Sequence, residues 1–91
     1  MDIRRRLAEK NPEAFLPDLA SSLGAYGTIL RSLDRHAEAA QAFGEGLQKI
    51  APFYRKMPQA FGGLAIALLR GYLQACNVAG QEPDEELIED I

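Results

Sequence analysis

Tryptophan is absent from this chain of 91 residues, and cysteine and histidine occur once each, as Cys76 and His36. A single cysteine has no partner for an internal disulfide framework and fits a reducing compartment, so a cytoplasmic location is expected. One histidine and one cysteine do not make a metal-ligand set, and neither HExxH nor CxxC spacing occurs. The acids near the C-terminus lack the spacing and central glycine of an EF-hand loop. Gly62 and Gly63 lie inside a helical pattern, with neither the lysine nor the preceding strand of a phosphate-binding loop. No metal and no cofactor are therefore expected.

Apolar runs are short as well. The longest, residues 64–69, is ended by Arg70 and cannot span a bilayer. The opening residues 2–6 lead into no apolar segment, so no N-terminal signal is expected. Net charge is only −3, which selects neither nucleic acid nor a membrane surface as partner. Arg4, Arg5 and Arg6 read as a solvated face rather than a nucleic-acid contact. The charge is unevenly spread: Glu82, Asp84, Glu85, Glu86, Glu89 and Asp90 crowd the last eleven residues with no base among them.

What is present is a helical pattern. Hydrophobic residues make up 47% of the chain, too many for disorder, and 91 residues allow one domain with a modest core. In residues 19–50, Leu19, Leu23, Tyr26, Leu30 and Leu33 recur on one face of a 3.6-residue helix. Asp34, Arg35 and His36 form a polar corner. Ala39, Ala40, Phe43, Gly46, Leu47 and Ile50 then make a second stripe. Glycine inside a helix costs about 1 kcal/mol against alanine. Gly27 and Gly46, with Ala39, are expected where two helix backbones approach, as holes for Leu23, Tyr26, Leu30 and Phe43.

At Leu23, Tyr26, Gly27, Leu30, Asp34, Ala39, Phe43 and Gly46 the chain resembles the tetratricopeptide repeat (TPR) family, and residues 11–23 look like its long-repeat bacterial variety. It departs from the pattern in carrying Asp34 where the turn glycine is usual. The closing proline, Pro52, also comes one residue late.

An internal repeat accompanies this resemblance. Pro12, Glu13, Ala14 and Phe15 are answered by Pro58, Gln59, Ala60 and Phe61, a shift of 46 residues. The same shift carries Leu23 to Leu69, Tyr26 to Tyr72, Leu30 to Cys76 and Asp34 to Gly80. Periods of 20–50 residues mark solenoids. The expected architecture is all-α, an antiparallel helix-hairpin solenoid of TPR-like type with about two units and short helices at each end, in one domain spanning 1–91. Residues 2–10 are expected to end a preceding helix. Unit one is 12–56, its first helix beginning near Pro12 with a kink at Pro17 or starting near Pro17, its second kinked or ended by Pro52. Unit two is 58–91: a long helix from Pro58 to about Val78, with Phe61, Leu64, Ala65, Leu68, Leu69, Tyr72, Leu73 and Cys76 on its apolar face. Gly80 is its stop, and a short acidic helix opens after Pro83.

No catalytic residue is expected. His36 has Asp34 beside it but no nucleophile, and Cys76, on an apolar face without a basic neighbour, reads as a small hydrophobe. The resemblance implies a concave groove lined by the first helix of each unit. Its groove positions map to Gly24, Thr28, Arg31, Arg70, Gln74 and Asn77. Gly24 and Thr28 do not match the lysine and asparagine of the TPR carboxylate clamp. Arg70 and Gln74 are a looser echo, the arginine being able to take a carboxylate by two hydrogen bonds. The expected function is a non-catalytic protein–protein interaction module, binding a peptide or helix of another protein in that groove. The alternative is a self-assembling homodimer or array joined through open solenoid ends.

Overall fold

A computed structural model describes residues 12–89, with burial and side-chain contacts from Phe15 onward. The described residues form four helices and no strand: α1 (Pro12–Ser32), α2 (His36–Lys56), α3 (Pro58–Ala79) and the short α4 (Glu85–Glu89). The helix expected in residues 2–10 lies outside the described residues.

Two of the three linkers follow from capping chemistry. After α1 the chain reverses through Asp34, which takes the left-handed conformation at φ 61°. The Arg35 N–H then donates to the Leu30 carbonyl (2.9 Å) and the Asp34 N–H to the Arg31 carbonyl (3.1 Å). That pair of bonds is a Schellman cap, which satisfies carbonyls the helix end leaves open. After α3 the same pair recurs 46 residues on. Gly80 sits at φ 72°, Gln81 N–H donates to Cys76 O (2.9 Å) and Gly80 N–H to Asn77 O (3.3 Å). Asp34 does at the first corner what Gly80 does at the second, at a steric cost glycine avoids. Asp34→Gly is therefore expected to raise stability by up to about 1 kcal/mol. A thermal melt checks this, and a lower midpoint would show that the corner is not strained.

The proline readings resolve toward length. α1 begins at Pro12 and runs through Pro17, and α2 runs through Pro52 to Lys56. Packing on the far side of Pro52 holds α2 together there. The Phe53 ring meets Phe61 edge to face at 5.8 Å, and Gly62 approaches Tyr54. At the end of α3 the chain turns through residues 80–84, and the Asp84 carboxylate accepts from the Glu86 N–H at 3.0 Å, opening α4.

Successive helices are antiparallel. Gly27 faces Phe43 and Ala20 faces Gly46 across α1 and α2, while Phe61 faces Phe53 and Leu68 faces Gly46 across α3 and α2. α2 thus lies between α1 and α3, and it is buried at Ala39, Ala40, Ala42, Phe43, Gly44, Gly46, Leu47, Ile50 and Ala51. Small residues let both neighbours close in on it. The helix-helix joints are two knobs. Phe43 of α2 enters between Gly27 of α1 and Gly71 of α3. Leu68 of α3 enters between Gly24 of α1 and Gly46 of α2. At each of these four glycines a Cβ would stand 3.0 Å or less from the knob.

The stripe expected on α1 needs correction. Leu30 is buried and Leu19 and Leu23 are half-buried, but Tyr26 and Leu33 point outward. The buried face is turned toward Ala20, Gly27 and Leu30, because the two knobs demand small residues at the contact and draw the glycine side of α1 inward. On α3 the expected face is buried or half-buried except Leu73, which is exposed, and Gly71 and Ala75 join it. Cys76 is buried, and among the described residues no helix is long and apolar enough to cross a membrane.

Candidate functional site

Because α1 and α3 both lean on α2, they run in the same direction and leave a cleft between them. Its walls are Ser21, Gly24, Ala25 and Thr28 of α1 and Leu64, Ala67 and Leu68 of α3, with Phe43 at the floor and a volume of about 180 Å³. Small residues at 21, 24, 25 and 67 keep it open. The Thr28 hydroxyl donates to the Gly24 carbonyl at 3.0 Å, so its proton is committed to the helix.

A polar bridge links the same two helices outside this lining. Arg31 Nη1 donates to Gln74 Oε1 at 2.7 Å, linking α1 to α3, and the guanidinium carbon lies 6.0 Å from the Phe43 ring centroid. That distance is the outer limit of a cation–π contact. Of the six groove positions expected from sequence, Gly24 and Thr28 are in the cleft wall, and Arg31 and Gln74 meet each other outside its lining. Arg70 and Asn77 are exposed on α3 and outside the cleft lining. Ser21, Ala25 and Ala67 line it without having been singled out, and Leu64 was expected only on the apolar face of its helix. The 46-residue shift pairs Ser21 with Ala67, and applying it to small residues as well as large ones is the signal that would have found those two.

A larger hollow of about 420 Å³ lies on the opposite side of α2, lined by Ala37, Ala40, Gly44, Gln48, Tyr72 and Leu87 among others. There the Asp84 N–H donates to the Tyr72 hydroxyl at 2.7 Å and Leu87 rests near Gly44, tying the acidic segment down. Burial pushes the Tyr72 phenol above its ordinary range, outweighing the Asp84 hydrogen bond.

Reactive side chains are not assembled at either place. His36 Nε2 is 3.6 Å from Asp34 Oδ1, and its Nδ1 is buried without a hydrogen-bond partner among the described residues. Among the described residues no three His, Cys, Asp or Glu side chains are grouped so as to hold a metal ion. What the α1–α3 cleft offers chemically is a small, mostly apolar hollow with the hydroxyl residues Ser21 and Thr28 in its lining. In comparison with known proteins, the chain matches no family model, no curated protein and no solved structure.

Proposed function

We propose that the chain is a non-catalytic protein–protein interaction module, a TPR-like antiparallel hairpin solenoid of about two units, that takes an extended peptide in the α1–α3 cleft. The observation that carries this is the cleft itself. It lies between two helices that correspond under the 46-residue shift and end in the same capping pattern at Asp34 and Gly80. Such correspondence is what stacked repeats produce. A helix is about 10 Å across. A cleft of about 180 Å³ suits the side chains of an extended strand better. Leu64 and Ala67 supply apolar contact, backed by the buried Leu68 and Phe43, and the Arg31–Gln74 bridge marks one end of the register. The single buried cysteine is consistent with a cytoplasmic setting, which belongs to the same proposal.

The test is selection of binders from a displayed library of short random peptides, followed by titration of a selected peptide. Ala67 is exposed on the cleft wall, so Ala67→Glu leaves the core intact while placing a charge in the cleft. Binding is expected to weaken about tenfold or more. A peptide that binds Ala67→Glu as it binds the parent sinks the cleft assignment. Arg70 lies outside the cleft lining, so Arg70→Ala is expected to leave binding unchanged, and a tenfold loss there would place the peptide elsewhere.

A further inference from the structure

Residues 82–89 are fastened differently from the rest of the described chain. α1, α2 and α3 each bury apolar side chains, but α4 is five residues long and buries none. A helix of so little length has no stability of its own and forms only where something holds it. Two contacts hold this one: the Asp84 N–H donates to the Tyr72 hydroxyl at 2.7 Å, and Leu87, half-buried, rests near Gly44. The first turn of α4 starts from the same residue as the first contact. The Asp84 carbonyl accepts from the Leu87 N–H at 3.1 Å, and the Asp84 carboxylate accepts from the Glu86 N–H at 3.0 Å. What ties the segment down and what makes it helical therefore meet at Asp84.

The end of α3 does not depend on this segment. The carbonyls of Cys76 and Asn77 are already taken by the N–H groups of Gln81 and Gly80. Residues 82–89 can leave without fraying α3 behind them. Charge works against their staying. They carry Glu82, Asp84, Glu85, Glu86 and Glu89 and no base. The hollow they border is shared by Asp84 and Glu45 of α2, and no basic residue lines it. The described ion pairs, Arg35 with Glu38 and His36 with Asp34, do not involve the segment.

We propose that residues 82–89 are a strap that opens and closes as one unit over the hollow between α2 and α3, while those two helices and α1 stay folded. The Tyr72 hydroxyl and Leu87 latch it shut, and Glu45 opposes closure. Opening orphans no polar group, because the Tyr72 hydroxyl and the Asp84 N–H pass to water together. It bares the Tyr72 phenol, 7% exposed while the strap is shut, and the backbone of α2 at Gly44 beneath Leu87. The protein thereby holds in reserve a surface that it presents only on opening. That surface lies on the opposite side of α2 from the peptide cleft, so the strap and the cleft stand or fall separately.

The experiment is hydrogen exchange on the full chain, read amide by amide by NMR. In the parent, the Asp84, Glu86 and Leu87 amides are expected to exchange together. They should be about tenfold or more faster than the amides of Leu47 and Leu68 in the core, yet slower than in an unstructured peptide. Tyr72→Phe keeps the ring and removes the acceptor. It touches the bond of Asp84 alone, but it should speed all three strap amides about two- to tenfold, with the core amides remaining the slower set. Leu87→Ala should act in the same direction. Glu45→Lys, at an exposed position of α2, should slow all three about twofold or more. Strap amides that exchange at the core rate, or that show no protection in the parent, overturn the proposal. So does Tyr72→Phe if it speeds Asp84 alone, or Glu45→Lys if it leaves the three rates unchanged.

Discussion

Phe43→Ala is expected to lower folding stability by about 3–5 kcal/mol, the cost of removing a buried aromatic ring and leaving its cavity. A domain of this size has about 5–14 kcal/mol in all, so the variant sits at or near the edge of folding. Three features place the loss at the upper end of the range. The ring is buried, with α1 on one side and α3 on the other. Its two neighbours are glycines, which have no side chain to move into the space. Finally, the Arg31 guanidinium, 6.0 Å from the ring centroid, loses the surface it lies over, and the Arg31–Gln74 bridge loses its support. Urea unfolding followed by circular dichroism measures the loss. A decrease below about 1 kcal/mol would mean that the ring does not join the helices.

Gly71→Ala is the converse test, adding volume instead of removing it. Its Cβ would stand 2.5, 2.6 and 2.8 Å from Phe43 Cε1, Cζ and Cδ1. The ring has little room to swing clear, because the α1 backbone at Gly27 lies on its other side, where an added Cβ would itself stand 2.9 Å from the ring. Overpacking costs about 1–3 kcal/mol, against which alanine returns about 1 kcal/mol of helix propensity. The expected net is a loss of up to about 2 kcal/mol from a substitution that usually stabilises a helix. Gly63→Ala is the control: nothing lies within 4 Å of its Cβ, so propensity acts alone and stability should rise by up to about 1 kcal/mol. Combining Gly71→Ala with Phe43→Leu should cost less than the two single losses added, since the smaller side chain vacates the space the methyl needs. Additive losses would show that residues 43 and 71 do not touch.

Much of the fold was legible because its signals are local. The 3.6-residue spacing, Pro58 as a restart, Gly80 as a stop and Asp34 at a corner each act within one or two turns of chain, and the helices lie where those signals put them. Pro17 and Pro52 were ambiguous because a proline only weakens a helix. Whether the helix survives depends on packing partners such as Phe61 against Phe53, which are distant in sequence. The rotation of α1 was not legible for the same reason. Leu23, Tyr26, Leu30 and Leu33 make a sound stripe by spacing, but a helix rich in glycine has a second way to bury itself. Phe43 and Leu68 chose the glycine side. Of the groove positions that the TPR resemblance implied, Gly24 and Thr28 line the cleft, whereas the wall residues Ser21, Ala25 and Ala67 were overlooked because small side chains carry no chemical signal of their own. Arg70 occupies the position equivalent to Gly24, yet it lies outside the cleft lining. Equivalence in sequence does not fix which side of a cleft a helix turns toward it.

The placement of Phe43 between Gly27 and Gly71 also constrains how this sequence can drift over generations. Positions 27, 43 and 71 share one volume, so a larger residue at either glycine and a smaller one at position 43 offset each other. Either order of events passes through a weakened intermediate. Descendants should therefore fall into two groups, one with glycine at both outer positions around an aromatic, the other with alanine or serine outside and a small aliphatic residue within, and few in between.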